Sequence, residues 1–340
     1  MDRKDVKKAK KLQQVSTSTF DILRGDVLEQ LKELPDNHFE ASFADPPYGL
    51  SFMEAKWDHG VPSVEVWKEL YRVLKPGAFI LMFGGTRTFH RQTCTIEDAG
   101  FEIRDTLVWM YGDGYPKSHN IGQAIAKRND KGSVFDIHDV WEGRGTALKP
   151  AWEPCVLAMK SCDGTFAANS LKWRVAGLNV RDTRVGKETI LINGQGAGNF
   201  FHGSFSGKII NPVRKGRWPA NLLVNREVGR ILDNQKKGAS RFFYCPKASK
   251  KERNGGLEGV NNHPCLKPID LCRYLALLLL PPAQKGQTRR LLVPFSGSGS
   301  EMIGALLAGW DHVTGIEIDS HYAKIAKARI EHWTEEREAA

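Results

Sequence analysis

The strongest constraint on this chain is a rhythm that starts twice. Short apolar runs alternate with amphipathic segments near both ends, and the alternation stops in between. Residues 20–23, 39–44, 78–83 and 101–110 read as strands, and residues 27–34, 64–74 and 88–99 as helices between them. The second helix is stopped by Lys75-Pro76-Gly77 and the third by Gly100. Residues 152–159 read as one more strand. The pattern then returns as helix 268–280, strand 290–294, helix 302–308, strand 312–318 and helix 321–333. Strands separated by helices predict an α/β fold with a largely parallel sheet. The expected organisation is a basic N-terminal arm (1–19), one α/β domain in two pieces (20–160 and 261–340) and an insert (161–260).

Charge separates the insert from the rest. The 340 residues carry a net charge of +10. Between Lys160 and Arg253 there are 19 Lys and Arg against 6 Asp and Glu, so this stretch holds +13 and the remainder −3. A concentrated basic block in an otherwise balanced chain fits a polyanionic partner, although a solvated basic face gives the same composition.

The six cysteines form no C-x-x-C pair and no zinc spacing, so they read as reduced thiols. The N-terminus shows no apolar signal region, and the longest apolar run, 275–282, is far below the roughly 20 residues needed to span a bilayer. The chain reads as soluble and cytoplasmic.

Two turns carry chemistry. Phe295-Ser296-Gly297-Ser298-Gly299 follows the strand 290–294 and opens a helix. Glycines there let backbone approach a nucleotide-like ligand without Cβ clashes. Glu317, about 20 residues on at the end of the next strand, is placed to accept hydrogen bonds from ribose hydroxyls. The second turn, Asp45-Pro46-Pro47-Tyr48, follows the strand 39–44. Two prolines stiffen it and leave Asp45 and the Pro46 carbonyl as acceptors. A purine amino group is a poor nucleophile because its lone pair is delocalised into the ring. Two acceptors gripping its N–H groups favour a tetrahedral nitrogen, and Tyr48 offers a stacking face for a flipped base. A plain glycine turn and a proline-stiffened loop are the bland alternatives.

Asp-Pro-Pro-Tyr and Phe-x-Gly-x-Gly together resemble the signature motifs of the amino DNA methyltransferases, which act on adenine N6 or cytosine N4. Their order, catalytic motif first, is similar to the β group of that family. Gly25-Asp26, the run 72–85, and His263-Pro264 with Lys267-Pro268 resemble further family segments. Gly216-Arg217-Trp218-Pro219-Ala220-Asn221 and the run 241–247 look like those of phage-type site-specific methylases.

The resemblance implies a circularly permuted, Rossmann-like, seven-stranded sheet, with 161–260 as the target-recognition region. It implies S-adenosylmethionine (AdoMet) as methyl donor, duplex DNA as substrate and adenine N6 as target, by base flipping and direct in-line transfer without a metal. By the same mapping Asp45, Pro46, Pro47 and Tyr48 are catalytic. Asp26, Asp45, His263, Lys267, Phe295, Gly297, Gly299 and Glu317 bind the cofactor, Asp26 its adenine and Glu317 its ribose. Lys117, Arg181, Arg184, Arg214, Lys215, Arg217, Arg241 and Lys247 are the expected DNA contacts. Many relatives dimerise or work beside a restriction endonuclease, so a homodimer and a cognate endonuclease are the other partners implied.

Two residues depart from the family pattern. Val293 stands where Asp is usual, which weakens the expected hold on AdoMet, and Ser300 stands where Thr is frequent. Cytosine N4 is the nearest alternative target; Ser in place of Asp45 is commoner there. A catalytically silent DNA-binding protein is the alternative from another class. Pro154-Cys155 and Pro264-Cys265 look like the nucleophile of cytosine-C5 enzymes but lack its context. The aromatic loop 111–118 is a candidate substrate loop.

Overall fold

A computed structural model describes residues 19–50, 58–112, 114, 118–128, 140–191, 213–243, 252–257, 261 and 266–338. His263, Lys117, Lys247 and nearly all of the basic arm lie outside these residues. The side chains of Arg214 and Arg241 are not described either.

The first half supplies β1 (Thr19–Arg24), α1 (Val27–Lys32), β2 (Phe39–Ala44), α2 (Val64–Val73), β3 (Leu74–Phe83), α3 (Phe89–Asp98), β4 (Glu102–Met110), α4 (Ile121–Arg128) and β5 (Trp152–Met159). The insert adds α5 (Phe166–Trp173), β6 (Val185–Leu191), β7 (Val213–Arg217), β8 (Leu222–Val224) and α6 (Arg226–Gln235). The last part is α7 (Ile269–Leu279), β9 (Arg290–Pro294), α8 (Ser300–Ala308), β10 (His312–Glu317) and α9 (Ser320–Glu338).

One sheet runs in the order β1-β10-β9-β2-β3-β5-β4-β8. Its pairs are parallel except that β5 runs antiparallel to both β3 and β4. The sheet has eight strands where seven were expected, because β8 of the insert pairs with the edge strand β4. β2 is buried at every position, as a central parallel strand with helices on both faces must be. The chain moves from β9 outward to β10 on one side and from β2 outward to β3 on the other. The β9–β2 boundary is therefore the topological switch point, where open α/β sheets bind ligands at their carboxyl ends.

Both faces carry an apolar core. One gathers α7, α8 and the strand residues Phe43, Phe83, Leu291 and Val293; the other gathers α1, α2, Ile80 and Met82. On the first face α7 and α8 touch so closely that a Cβ on Gly304 would lie 2.5 Å from that of Cys272, so only glycine fits.

Parts of the insert pack into this body. Asn169 on α5 is fully buried and donates to the Pro76 and Val175 carbonyls at 2.9 and 3.1 Å. Tyr274 on α7 donates to Thr183 O at 3.1 Å. Lys160, counted in the basic block, is buried and donates to Asn37 Oδ1, Tyr71 O and Leu74 O at 3.0, 2.8 and 2.7 Å. It closes the end of α2 and faces no solvent partner. Among the described residues, no helix is long and apolar enough to cross a membrane.

Candidate active site

The two signature turns leave the same edge of the sheet side by side. β2 and β9 pair with Ser42 opposite Leu292, and three residues further on these strands lead to Asp45 and Phe295. On the other side of β9, Ile316 of β10 lies opposite Pro294, which brings Glu317 beside Phe295. β1 follows, with Arg24 opposite Glu317, and Gly25 N–H donates to Glu317 O at 3.0 Å. Asp26, Glu317, the glycine turn and the proline corner thus follow four adjacent strands at their carboxyl ends.

The glycine turn is shaped by its backbone. Phe295 has φ +61°, a left-handed conformation that a non-glycine residue holds at a cost of order 1 kcal/mol. Gly299 follows at φ +83°, and a Cβ there would meet Ala326 of α9 at 3.1 Å. Ser296 N–H donates to Ile316 O at 2.8 Å, locking the turn to β10.

Glu317 is held at both oxygens. Gly297 N–H donates to one at 2.7 Å and Asp319 N–H to the other at 2.8 Å. Burial raises its pKa, and these N–H donors act against burial. A carboxylate fixed in this way keeps lone pairs on both oxygens for a vicinal diol. Ser296 Oγ, buried in the same turn, has no partner among the described residues. A close-approach glycine loop, an oriented carboxylate and an unpartnered hydroxyl fit the adenosyl donor that the resemblance implies.

Asp26 also serves its own helix, because its carboxylate caps α1, accepting from Leu28 N at 2.9 Å and Glu29 N at 3.3 Å. Val293 is fully buried in the core beneath the turn, opposite Gly315 on β10.

At the proline corner the acid is not alone. Tyr48 OH donates to Asp45 Oδ1 at 2.6 Å, and Lys267 Nζ reaches Asp45 Oδ2 at 2.6 Å. Lys267 also reaches Tyr48 OH and Glu153 Oε2, each at 3.1 Å. Burial alone would lower the Lys267 pKa; the carboxylates of Asp45 and Glu153 outweigh it and hold the ammonium well above its ordinary range. Tyr48 is pushed well above its usual value by burial and then by Asp45, so it remains a phenol donor. Asp58 fixes the following loop, accepting from Gly49 N at 2.7 Å and Leu50 N at 3.2 Å.

Sequence reasoning missed Glu153, Asp58 and Arg329. Arg329 of α9 is fully buried and its guanidinium donates to Ser298 O, Ser298 Oγ (3.0 Å), Ser300 Oγ (3.3 Å) and Glu252 O (3.0 Å). It props the glycine turn from behind. Its only signal was a cation on the inner face of a helix beside Ile325, Ala326 and Ile330. Cys155 lies fully buried near the corner, and burial raises its thiol well above the usual range, the opposite of a nucleophilic thiolate.

Of the expected DNA contacts, Arg184, Lys215 and Arg217 gather on a two-stranded antiparallel ribbon of β6 and β7. Arg184 donates to Gly216 O at 3.0 Å and stacks over the exposed Trp218 ring at 5.4 Å. Arg217 pairs with Glu188 at 2.8 Å, whereas Lys215 and Arg181 are exposed.

A mainly parallel sheet thus brings a glycine turn and an Asp-Pro-Pro-Tyr corner together at its switch point. The sequence profile of the family described as DNA methylase, of the N6/N4 type, matches residues 39–328, and the chain belongs to that family. It is 24% identical over 204 residues to the Type II methyltransferase M.HindIII of Haemophilus influenzae, a match covering 46% of this chain and 64% of that protein. It is 28% identical over 109 residues to the Type II methyltransferase M.HinfI of Haemophilus influenzae, covering 26% of this chain and 30% of that one. These matches span less than two thirds of either relative. In fold, the chain is similar to the PvuII DNA methyltransferase (cytosine-N4-specific), with a TM-score of 0.52, 14% identity, and coverage of 94% of this chain and 91% of that one.

Proposed function

We propose that this chain is an AdoMet-dependent DNA methyltransferase that modifies adenine N6 in duplex DNA at a specific site. The observation that carries this reading is the strand register that sets Asp45 and Phe295 next to each other across the switch point. A methyl donor held at the glycine turn and an amino group held at the proline corner then share one crevice.

AdoMet supplies an electrophilic methyl group on a sulfonium. Glu317 holds the donor's ribose through its two pre-oriented oxygens, and Asp26 at the end of β1 faces the adenine end. Asp45 and the Pro46 carbonyl accept the two amino N–H groups, which directs the nitrogen lone pair outward. Alignment of the two reactants provides most of the acceleration. Asp45, rather than the Ser commoner in cytosine-N4 enzymes, favours adenine. The target base has to leave the helix to reach so recessed a corner. The ribbon of Arg184, Lys215 and Trp218, with Arg181 near its base, meets the duplex backbone and groove.

Single-molecule sequencing of DNA from cells expressing the chain, with mass spectrometry of its nucleosides, tests this. N6-methyladenine in one sequence context is the expected result. N4-methylcytosine would transfer the same geometry to the other base. Unmodified DNA, together with AdoMet binding too weak to measure by calorimetry and tight, salt-sensitive duplex binding, would make the chain a silent DNA-binding protein.

A further inference from the structure

Asp45 is required to receive an amino N–H, and each of its oxygens already accepts one hydrogen bond, from Tyr48 OH and from Lys267 Nζ, so the incoming group competes with two donors for the remaining lone pairs. Those two donors share a second acceptor. Glu153 Oε2 lies 3.1 Å from Lys267 Nζ and 3.3 Å from Tyr48 OH. Two carboxylates therefore stand over one ammonium and one hydroxyl.

The parts of this cluster are not equally free to move. Glu153 sits on β5, paired with Trp109 of β4, two residues before Cys155 pairs with Phe83 of β3. The Lys267 ammonium lies 4.7 Å from the Phe83 ring centre and 5.5 Å from that of Tyr48, with the side chain only 6% exposed. Buried Glu301 at the start of α8 also interacts with Asp45 and Lys267, so without that ammonium the carboxyl groups of Asp45, Glu153 and Glu301 would repel one another. A carboxyl group that takes up a proton there becomes a poorer acceptor for an amino group.

We propose that Lys267 and Glu153 are positioning residues for Asp45. Lys267 fixes the orientation of Asp45 through their ion pair, and Glu153 takes over the Lys267 ammonium and the Tyr48 hydroxyl when the target amino group engages Asp45. The exchange needs only sub-ångström shifts, because every donor already touches both acceptors. Lys267 thereby acts on the acid rather than on the cofactor, the role the family resemblance gave it. This inference rests on the proposed methyl transfer but not on which base receives the methyl.

The test is the pH dependence of kcat, at saturating AdoMet and DNA, in wild type, Lys267→Gln, Lys267→Arg and Glu153→Gln. Removing the cation should move the acid limb of the profile up by about one pH unit, and removing Glu153 should move it down, as expected for groups within ion-pair distance. Lys267→Arg should restore the wild-type limb. Glu153→Gln should also raise KM for DNA about tenfold, on the order of 1.4 kcal/mol, because the ammonium then has no second resting place. The AdoMet dissociation constant should stay within about twofold in all variants. Loss of AdoMet affinity in Lys267→Gln would return this residue to the cofactor. Limbs that stay fixed while thermal stability falls would leave both residues merely structural, and Glu153→Gln, close in shape to the native residue, gives that answer even where Lys267→Gln does not fold. Active wild type with unmoved limbs overturns this inference alone; wild type that methylates no DNA overturns the proposed function and this inference with it.

Discussion

Asp45 and Phe295 are 250 residues apart in sequence, yet they leave adjacent parallel strands at the same height, each three residues past the Ser42–Leu292 pair. That relationship turns two motifs into one site, and several outcomes follow from it.

Asp45→Ala removes the acceptor on which the amino group would sit. Methyl transfer should fall at least about 10²–10³-fold, the scale seen when one oriented polar group is deleted from a reaction centre. Duplex binding, measured by anisotropy, should persist, because Asp45 is not among the cations of the ribbon proposed to meet the duplex. Full activity in this variant would refute the mechanism.

Arg329→Met tests the support behind the glycine turn. It strips donors from Ser298 O and Glu252 O inside the protein. Stability to denaturant should fall by about 2–4 kcal/mol, as for a broken buried polar network. AdoMet affinity should weaken as well, although Arg329 is covered by the turn; calorimetry reads both effects.

Glu301 gives a pH signature. It is buried in the first turn of α8, and its pKa is pushed up to about 7, first by burial and then by the charge of Asp45. A group whose pKa is raised on folding binds its proton more tightly in the folded state. Stability should therefore decline as pH rises from about 4.5 to about 7 and level off above. Glu301→Gln should flatten that decline and exceed wild type at pH 8 in urea denaturation.

Lys215→Ala should weaken duplex binding evenly across sequences and reduce the salt slope by about one, the signature of a phosphate contact. Arg217→Ala should change the slope less, since Glu188 already pairs with Arg217. Equal changes in the two variants would argue against the ribbon as the DNA-facing surface.

The repeating parts of the fold were legible in the sequence because their periodicity is dictated by burial. The strand 290–294 and the helix 268–280 were read to within a residue. β3 begins at Leu74, not at residue 78, because a register shift beside Phe39 admits Pro76 and Gly77 into a strand that Lys75-Pro76-Gly77 seemed to forbid. β8 escaped notice because three residues show no period, and α6 because Gly229 interrupts its apolar face. The turns at Asp45 and Phe295 were legible since proline and glycine act locally. Glu153 was not: an acid between Trp152 and Pro154 resembles any half-exposed strand position until the fold brings Lys267 to it.

The hydrogen-bonded pairing of β1 with β10 has a consequence for biosynthesis. A ribosome delivers Asp45 early, but Glu317 emerges some 270 residues later, and the strand beside β1 cannot form before then. The proline corner likewise waits for Lys267 and for β9, its neighbours in the finished sheet. On the proposed function, donor binding would therefore be tied to the completion of the sheet.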